Sequence, residues 1–151
     1  MVIIVILYLS YNNIQISNTK LLSYLKDIPI EFVAKDAIQE NHVVNYDGVI
    51  TNINLIYDFE NDCKNNKTSQ LIYTYYNKDE EPTIKTAFYK NGNIFVNIDS
   101  TRTTNGTSEI QSYKFNDFKI MDNETTLKLT LNDSEYKINF FNYNKKTGEG
   151  S

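Results

Sequence analysis

Residues 69–99 read SQLIYTYYNKDEEPTIKTAFYKNGNIFVNID. Three runs rich in Ile, Val, Tyr, Phe and Thr are separated by two short turns. β-Branched and aromatic side chains suit a pleated, half-buried surface, so each run predicts a strand. The first turn carries Lys78, Asp79, Glu80 and Glu81 and ends at Pro82. The second is Asn91-Gly92, two residues that tolerate positive φ and close a tight hairpin. Alternation assigns three sets to the inward face: Leu71, Tyr73 and Tyr75; Ile84, Thr86 and Phe88; Ile94, Val96 and Ile98. Short turns make neighbouring strands antiparallel.

Downstream, SEIQSYKF (108–115) and DFKIMD (117–122) predict weaker strands. TTLKLTL (125–131) sets Leu127, Leu129 and Leu131 on one face, and SEYKINFFNY (134–143) closes with Tyr136, Ile138 and Phe140. Upstream, INLIYDFENDCKN (53–65) predicts a helix. Its Ile56, Phe59 and Cys63 recur at spacings of three and four, and Thr51 or Asn52 is placed to cap its start. KDAIQEN (35–41) predicts a short helical turn with Asp36 as N-cap, and HVVNYDGVITN (42–52) two extended segments about an Asp47-Gly48 turn. A helix followed by a run of strands is the α+β pattern: one main amphipathic helix packed on a curved antiparallel β-sheet built from hairpins.

The expected organisation is one α+β domain over residues 36–143. Residues 18–35 read as a polar linker with a short helix at NTKLLSYLKD, capped by Asn18. Residues 144–151 read as a disordered tail. Residues 1–17 begin MVIIVILYLS, whose apolar run Val2–Leu9 has the length of a signal-peptide core but falls short of the roughly 20 apolar residues of a membrane-spanning helix. It reads as a signal or anchor remnant, or as a buried strand. The first reading implies an extracytoplasmic location, with membrane attachment through the N-terminus.

Twelve Tyr, eight Phe and only three Ala favour sheet over helical bundle. A net charge of −4 with no basic stripe argues against nucleic acid as a partner. With one cysteine, Cys63, and one histidine, His42, there is no internal disulfide and no cysteine-based zinc site. Cys63 reads as a buried hydrophobe on a helix face and His42 as a surface or hydrogen-bonded residue, so neither predicts a catalyst. The acidic turns at 79–81, 122–124 and 133–135 read as solvated, and DSTRTTNGTSE (99–109) does not fit the EF-hand spacing. No metal or cofactor is expected.

Two features stand out as candidate binding sites. Tyr76, Tyr89, Phe95 and Phe141 lie opposite the inward sets, so they either form an exposed aromatic surface or are covered by a second layer. Arg102 is the only arginine beside fourteen lysines. A planar guanidinium in that loop suits a clamp bridging Asp99 and nearby loop carbonyls, with anion binding as the alternative.

The ordered set Asp36, Ala37, Ile38, Val43, Val44, Gly48 and Asn52, then Glu81, Pro82 and Ile84, then Asn91-Gly92, then Asp99, Thr101, Arg102 and Gly106, resembles the domain of unknown function numbered 4362. The likeness covers roughly residues 34–140. That family comprises small exported, often lipid-anchored proteins of low-GC Gram-positive bacteria, without assigned activity. Many members carry a lipidation cysteine and a later cysteine pair. This chain has neither, so anchoring by lipid and a disulfide do not carry over. The resemblance implies an exported or envelope-associated location more than an activity; the reading of the chain as a whole is a non-catalytic binding module for a protein, peptide or envelope polymer. The alternatives are a carboxylate- or metal-assisted hydrolase using Asp99 and the acidic turns, and an immunity- or inhibitor-type protein that pairs with a secreted partner.

Overall fold

The computed structural model describes residues 18–124, 126–133 and 135–147; the apolar run Val2–Leu9 and the last four residues of the expected tail lie outside them. Among the described residues there are three helices: α1 over residues 18–27, α2 (Ala34–Gln39) and α3 (Asn54–Lys64). The strands are β1 (Val43–Tyr46), β2 (Val49–Thr51), β3 (Ser69–Tyr76), β4 (Pro82–Lys90), β5 (Asn93–Asp99), β6 (Gln111–Phe115), β7 (Asp117–Asp122), β8 (Thr126–Asn132) and β9 (Lys137–Asn144). The α+β class expected from the sequence is what forms.

β1 to β6 make one sheet in the order β2-β1-β3-β4-β5-β6, and β7-β8-β9 make a second. All neighbours are antiparallel except β1 and β3, which run parallel because the chain crosses from one to the other through β2 and α3. Both tight turns take the geometry their sequences demand. Asp47 and Gly48 have φ of 49° and 74°, and Asn91 and Gly92 have 49° and 76°.

The six-stranded sheet is the middle of three layers. On one side, α3 and the second sheet enclose a core containing Val43, Ile56, Phe59, Cys63, Leu71, Tyr73, Val96, Leu127, Leu129, Leu131, Phe140 and Phe141. On the other side, Leu25 and Ile28 from α1, Phe32, and Ala37 from α2 pack against Val44, Tyr76 and Ile84. Adjacent residues Val43 and Val44 belong to different cores, so β1 is buried on both faces.

The sequence reading is corrected in three places. Residues 18–35 are not a linker: they form α1 and the approach to α2, docked on the sheet. The inward set on β4 is reversed. Leu71 lies opposite Ala87 and Tyr73 opposite Lys85, so Lys85, Ala87 and Tyr89 share the face of Leu71 and Tyr73, while Ile84, Thr86 and Phe88 face away. Alternation locates strands, but when both faces are buried it does not say which parity faces which core. Third, Asn144 ends β9 and Lys145 pairs with Asp122, so the expected disordered tail begins too early.

The helix caps also differ. Asp36 lies inside the first turn of α2, whose N-cap is Val33. Ile53 precedes α3, and neither Thr51 nor Asn52 caps it. Asn52 instead adopts φ of 58° and donates its amide to the carbonyls of Ile38 (3.2 Å) and His42 (2.9 Å), joining the end of α2 to the start of α3.

Candidate functional site

β5 ends at Asp99, and the following loop folds on itself. Thr101 donates its backbone N–H (3.0 Å) and its hydroxyl (2.7 Å) to Asp99 Oδ1. The Ser100 carbonyl accepts from the Thr103 N–H (3.1 Å) and hydroxyl (2.9 Å), and Thr107 N–H donates to Ser100 Oγ at 3.0 Å. Gly106 closes against this turn: a Cβ there would lie 1.7 Å from the Ser100 oxygen. Glu81 holds the loop from β4's side, accepting from Thr104 N–H (3.0 Å), the Thr104 hydroxyl and Asn77 Nδ2 (2.9 Å). The Thr104 hydroxyl, then Asn77, hold its carboxyl below the usual carboxylate range.

Arg102 reaches out of this loop to α1. Its Nη1 donates to Asp99 Oδ2, its Nε to Pro29 O (3.1 Å), and its Nη2 to Leu25 O (2.9 Å) and Ile28 O (2.7 Å). The last carbonyls of a helix have no intrahelical partner, and a cation favours that end. Arg102 therefore caps α1 and ties it to β5 through one planar group. The pair is deeply enclosed, with side-chain exposure of 8% for Arg102 and 1% for Asp99. The fork is occupied by this clamp, and an anion would have to displace it.

His42 makes a second tie. Its ring is buried; Nδ1 bonds Thr74 Oγ1 at 2.8 Å and Nε2 bonds the Tyr24 hydroxyl at 2.6 Å. Tyr24 donates onward to Glu40. A consistent direction runs Thr74 O–H to Nδ1, Nε2–H to Tyr24, and Tyr24 O–H to Glu40. Burial pushes the imidazole down to about 4, which keeps it neutral at pH 7. The same burial, helped by the Asp62 charge, pushes the Cys63 thiol up to about 12, so it is no nucleophile.

The four aromatic candidates do not share a surface. Tyr76 is buried under the helical layer and donates its hydroxyl to Phe32 O at 3.0 Å. Tyr89 and Phe141 are buried in the other core, where Phe141 meets Tyr73 edge-on at 4.9 Å. Phe95 stays half-buried with the Lys114 ammonium 5.7 Å from its ring centre. Phe141 faces the core because the β8–β9 register shifts between Leu129 and Thr130, a bulge that turns both Phe140 and Phe141 inward.

An open groove of about 630 Å³ lies where β1 and β3 end side by side and their chains diverge. Asn45, Tyr46, Gly48, Tyr75, Asn77 and Glu80 line it. Tyr46 is exposed, donates to Glu80 (2.7 Å) and packs edge-on against Tyr76. The side-chain amide nitrogen of Asn45 is buried with no hydrogen-bond partner. Crevices outside the carboxyl ends of parallel strands are common ligand seats. The sequence offered no sign of this one, because the β1–β3 pairing joins segments about thirty residues apart. Tyr24 and Thr74 were missed as well, since the partner they share, His42, lies 18 and 32 residues away in sequence.

Among the described residues, no group of three or more His, Cys, Asp or Glu is placed to hold a metal ion, and no helix is long and apolar enough to cross a membrane. No protein-family model, curated protein or solved structure matches the chain.

Proposed function

We propose that this chain is a non-catalytic, exported or envelope-associated binding module whose ligand seat is the groove at the ends of β1 and β3. One observation carries the reading: the side chains best suited to chemistry are committed elsewhere. Cys63 is buried among apolar groups, His42 has both ring nitrogens bonded, and Asp99 and Arg102 are spent on each other and on α1. The groove instead gathers exposed tyrosine, amide and backbone groups, the chemistry of a polar surface that orients a ligand. The apolar run Val2–Leu9 supports the compartment.

An envelope polymer suits a wide, open, mixed polar and aromatic groove better than a small apolar ligand does. Co-sedimentation of the full chain with purified Gram-positive cell-wall material tests this. The wild type is expected to pellet and Tyr46→Ala to remain largely in solution. A chain that stays in the supernatant, or that turns over a panel of chromogenic ester, phosphate and glycoside substrates, refutes the proposal.

A further inference from the structure

The seam between the helical layer and the sheet is unusually polar. Beneath α1 and α2, His42, Thr74, Thr86, Asn97 and Asp99 are each at most 1% exposed. Thr86, Asn97 and Ser112 lie directly opposite one another across β4, β5 and β6. Asn97 donates to Thr86 (3.1 Å) and to Asn18 of α1 (3.2 Å), and accepts from Ser112 (2.7 Å). The layer is thus fastened by a few polar clips: Asn18 to Asn97, Tyr24 and His42 to Thr74, Tyr76 to Phe32 O, and Arg102 to the end of α1. Among the described residues its own core is small, built on seven buried side chains, whereas the core on the other side of the sheet has sixteen. The two cores have no buried residue in common among the described ones, so departure of the layer removes no side chain from the larger core.

From this geometry we propose that α1 and α2 form an acid-released cover: protonation of His42 detaches residues 18–42 as a unit and uncovers the polar and aromatic face of β3, β4 and β5. His42 is the one clip that gains a charge as pH falls, and it joins three elements at once. Among the described residues few groups face it. From α1 comes Tyr24, and Glu40 at the end of α2 reaches it only through the Tyr24 hydroxyl. From the loop before α2, the Phe32 ring sits 5.6 Å away and carries no charge. From β3 comes Thr74, and Tyr76 lies near enough to act on the Tyr24 hydroxyl. Arg102, whose charge acts on Tyr24, is itself paired with Asp99. No carboxylate touches the ring, so nothing beside it compensates a buried imidazolium.

The sign follows from linkage. The folded imidazole titrates near 4 and a released one near 6.5, so closure loses stability as pH falls through that window and gains nothing above it. By pH 5 the opening equilibrium rises about 30-fold relative to pH 7.5. Amide hydrogen exchange of the full chain at pH 7.5, 6, 5 and 4.5, corrected for the intrinsic rate, reads this directly. The expected result is an increase of that order in residues 18–42, with β3, β4 and β8 unchanged, and its disappearance in His42→Gln. As the chain has one histidine, its ring resonances report the titration without assignment, and a midpoint near 4 supports the device. Three results overturn it: a folded-state midpoint near 6.5, loss of protection in the sheets together with the helices, or an unchanged pH profile in His42→Gln. If that variant does not fold, the ring titration and the comparison of segments in the wild type decide the matter by themselves.

Discussion

Arg102→Lys is the substitution that asks most of the structure. The guanidinium makes four hydrogen bonds from three different nitrogens, to Asp99 and to the carbonyls of Leu25, Ile28 and Pro29. An ammonium keeps the charge but donates from a single point, so it satisfies about two of those acceptors at once. Losing two charge-assisted bonds costs roughly 1.5–3 kcal/mol each when nothing replaces them. The α1 carbonyls lie near the surface, where water recovers part of that, which leaves a net loss of about 2 kcal/mol. For a chain of this size that lowers the Tm by roughly 4–8 °C. Arg102→Met should be worse, about 3–5 kcal/mol, because it strands the Asp99 carboxylate in a site 1% exposed. Adding Asp99→Asn to Arg102→Met should recover part of the loss, as expected for partners in contact. Urea unfolding midpoints of the four proteins provide the measurement. An Arg102→Lys effect below about 0.5 kcal/mol, the range of ordinary surface substitutions, would show that the fork is not what holds α1.

Three further substitutions or probes test other parts of the structure. Gly106→Ala should cost more than about 3 kcal/mol, since a Cβ 1.7 Å from the Ser100 oxygen forces the loop open; a urea midpoint within error of wild type would refute the loop geometry. Cys63 should resist a thiol reagent such as DTNB in the native state and react fully in denaturant, and rapid native labelling at pH 8 would sink its assignment to the core. Lys85, whose ammonium lies 5.7 Å from the Tyr73 ring centre between the two sheets, is pushed down to about 8 by burial. The unfolded chain therefore binds more protons between about pH 8 and 10.4, so Lys85 makes stability rise across that interval. Lys85→Met should flatten that slope and stabilise the protein by about 1 kcal/mol at pH 7; a destabilised variant would contradict it.

How far the sequence carries can be read from particular residues. The runs 69–76 and 93–99 became strands with the expected ends, 83–90 gained Pro82 from the expected turn, and Asp47-Gly48 and Asn91-Gly92 became the expected turns, because local sterics decide them. Ile56, Phe59 and Cys63 share the buried face of α3 for the same reason. What failed was everything that depends on a second layer. Tyr76 lies under a helical second layer, one of the two alternatives the sequence leaves open, whereas Tyr89 is buried because the parity of β4 is reversed. NTKLLSYLKD reads as a short capped helix, and Leu21 and Leu25, four residues apart, form its docked side, but nothing local says which face of the sheet receives them. Phe141 broke its alternation through a bulge, which depends on how β8 and β9 align rather than on either strand alone. The clamp geometry at Arg102 was legible to the extent of its Asp99 partner and its use of carbonyls. That those carbonyls belong to a helix more than seventy residues away was not.

The polar seam also explains how an indistinct helix finds one place on a broad sheet. Leu25 and Ile28 pack on Val44, Ile84 and their neighbours, but β-branched and aromatic side chains present much the same surface one residue pair along. Apolar contact alone would allow α1 to slide. The clips do not tolerate a shift: Asn97 must meet Asn18, His42 must lie between Tyr24 and Thr74, and Arg102 must reach three carbonyls at the helix end. Each such bond adds only about 0.5–1.5 kcal/mol net, yet leaving one buried and unmade costs more than it contributes. A seam of this kind therefore gives strong positional discrimination with modest adhesion. That combination accounts for the lone arginine in a lysine-rich chain, since a planar fork is the one cation that penalises misplacement in several directions at once. It also accounts for a cover that is well ordered when closed and still light enough for one titrating histidine to release.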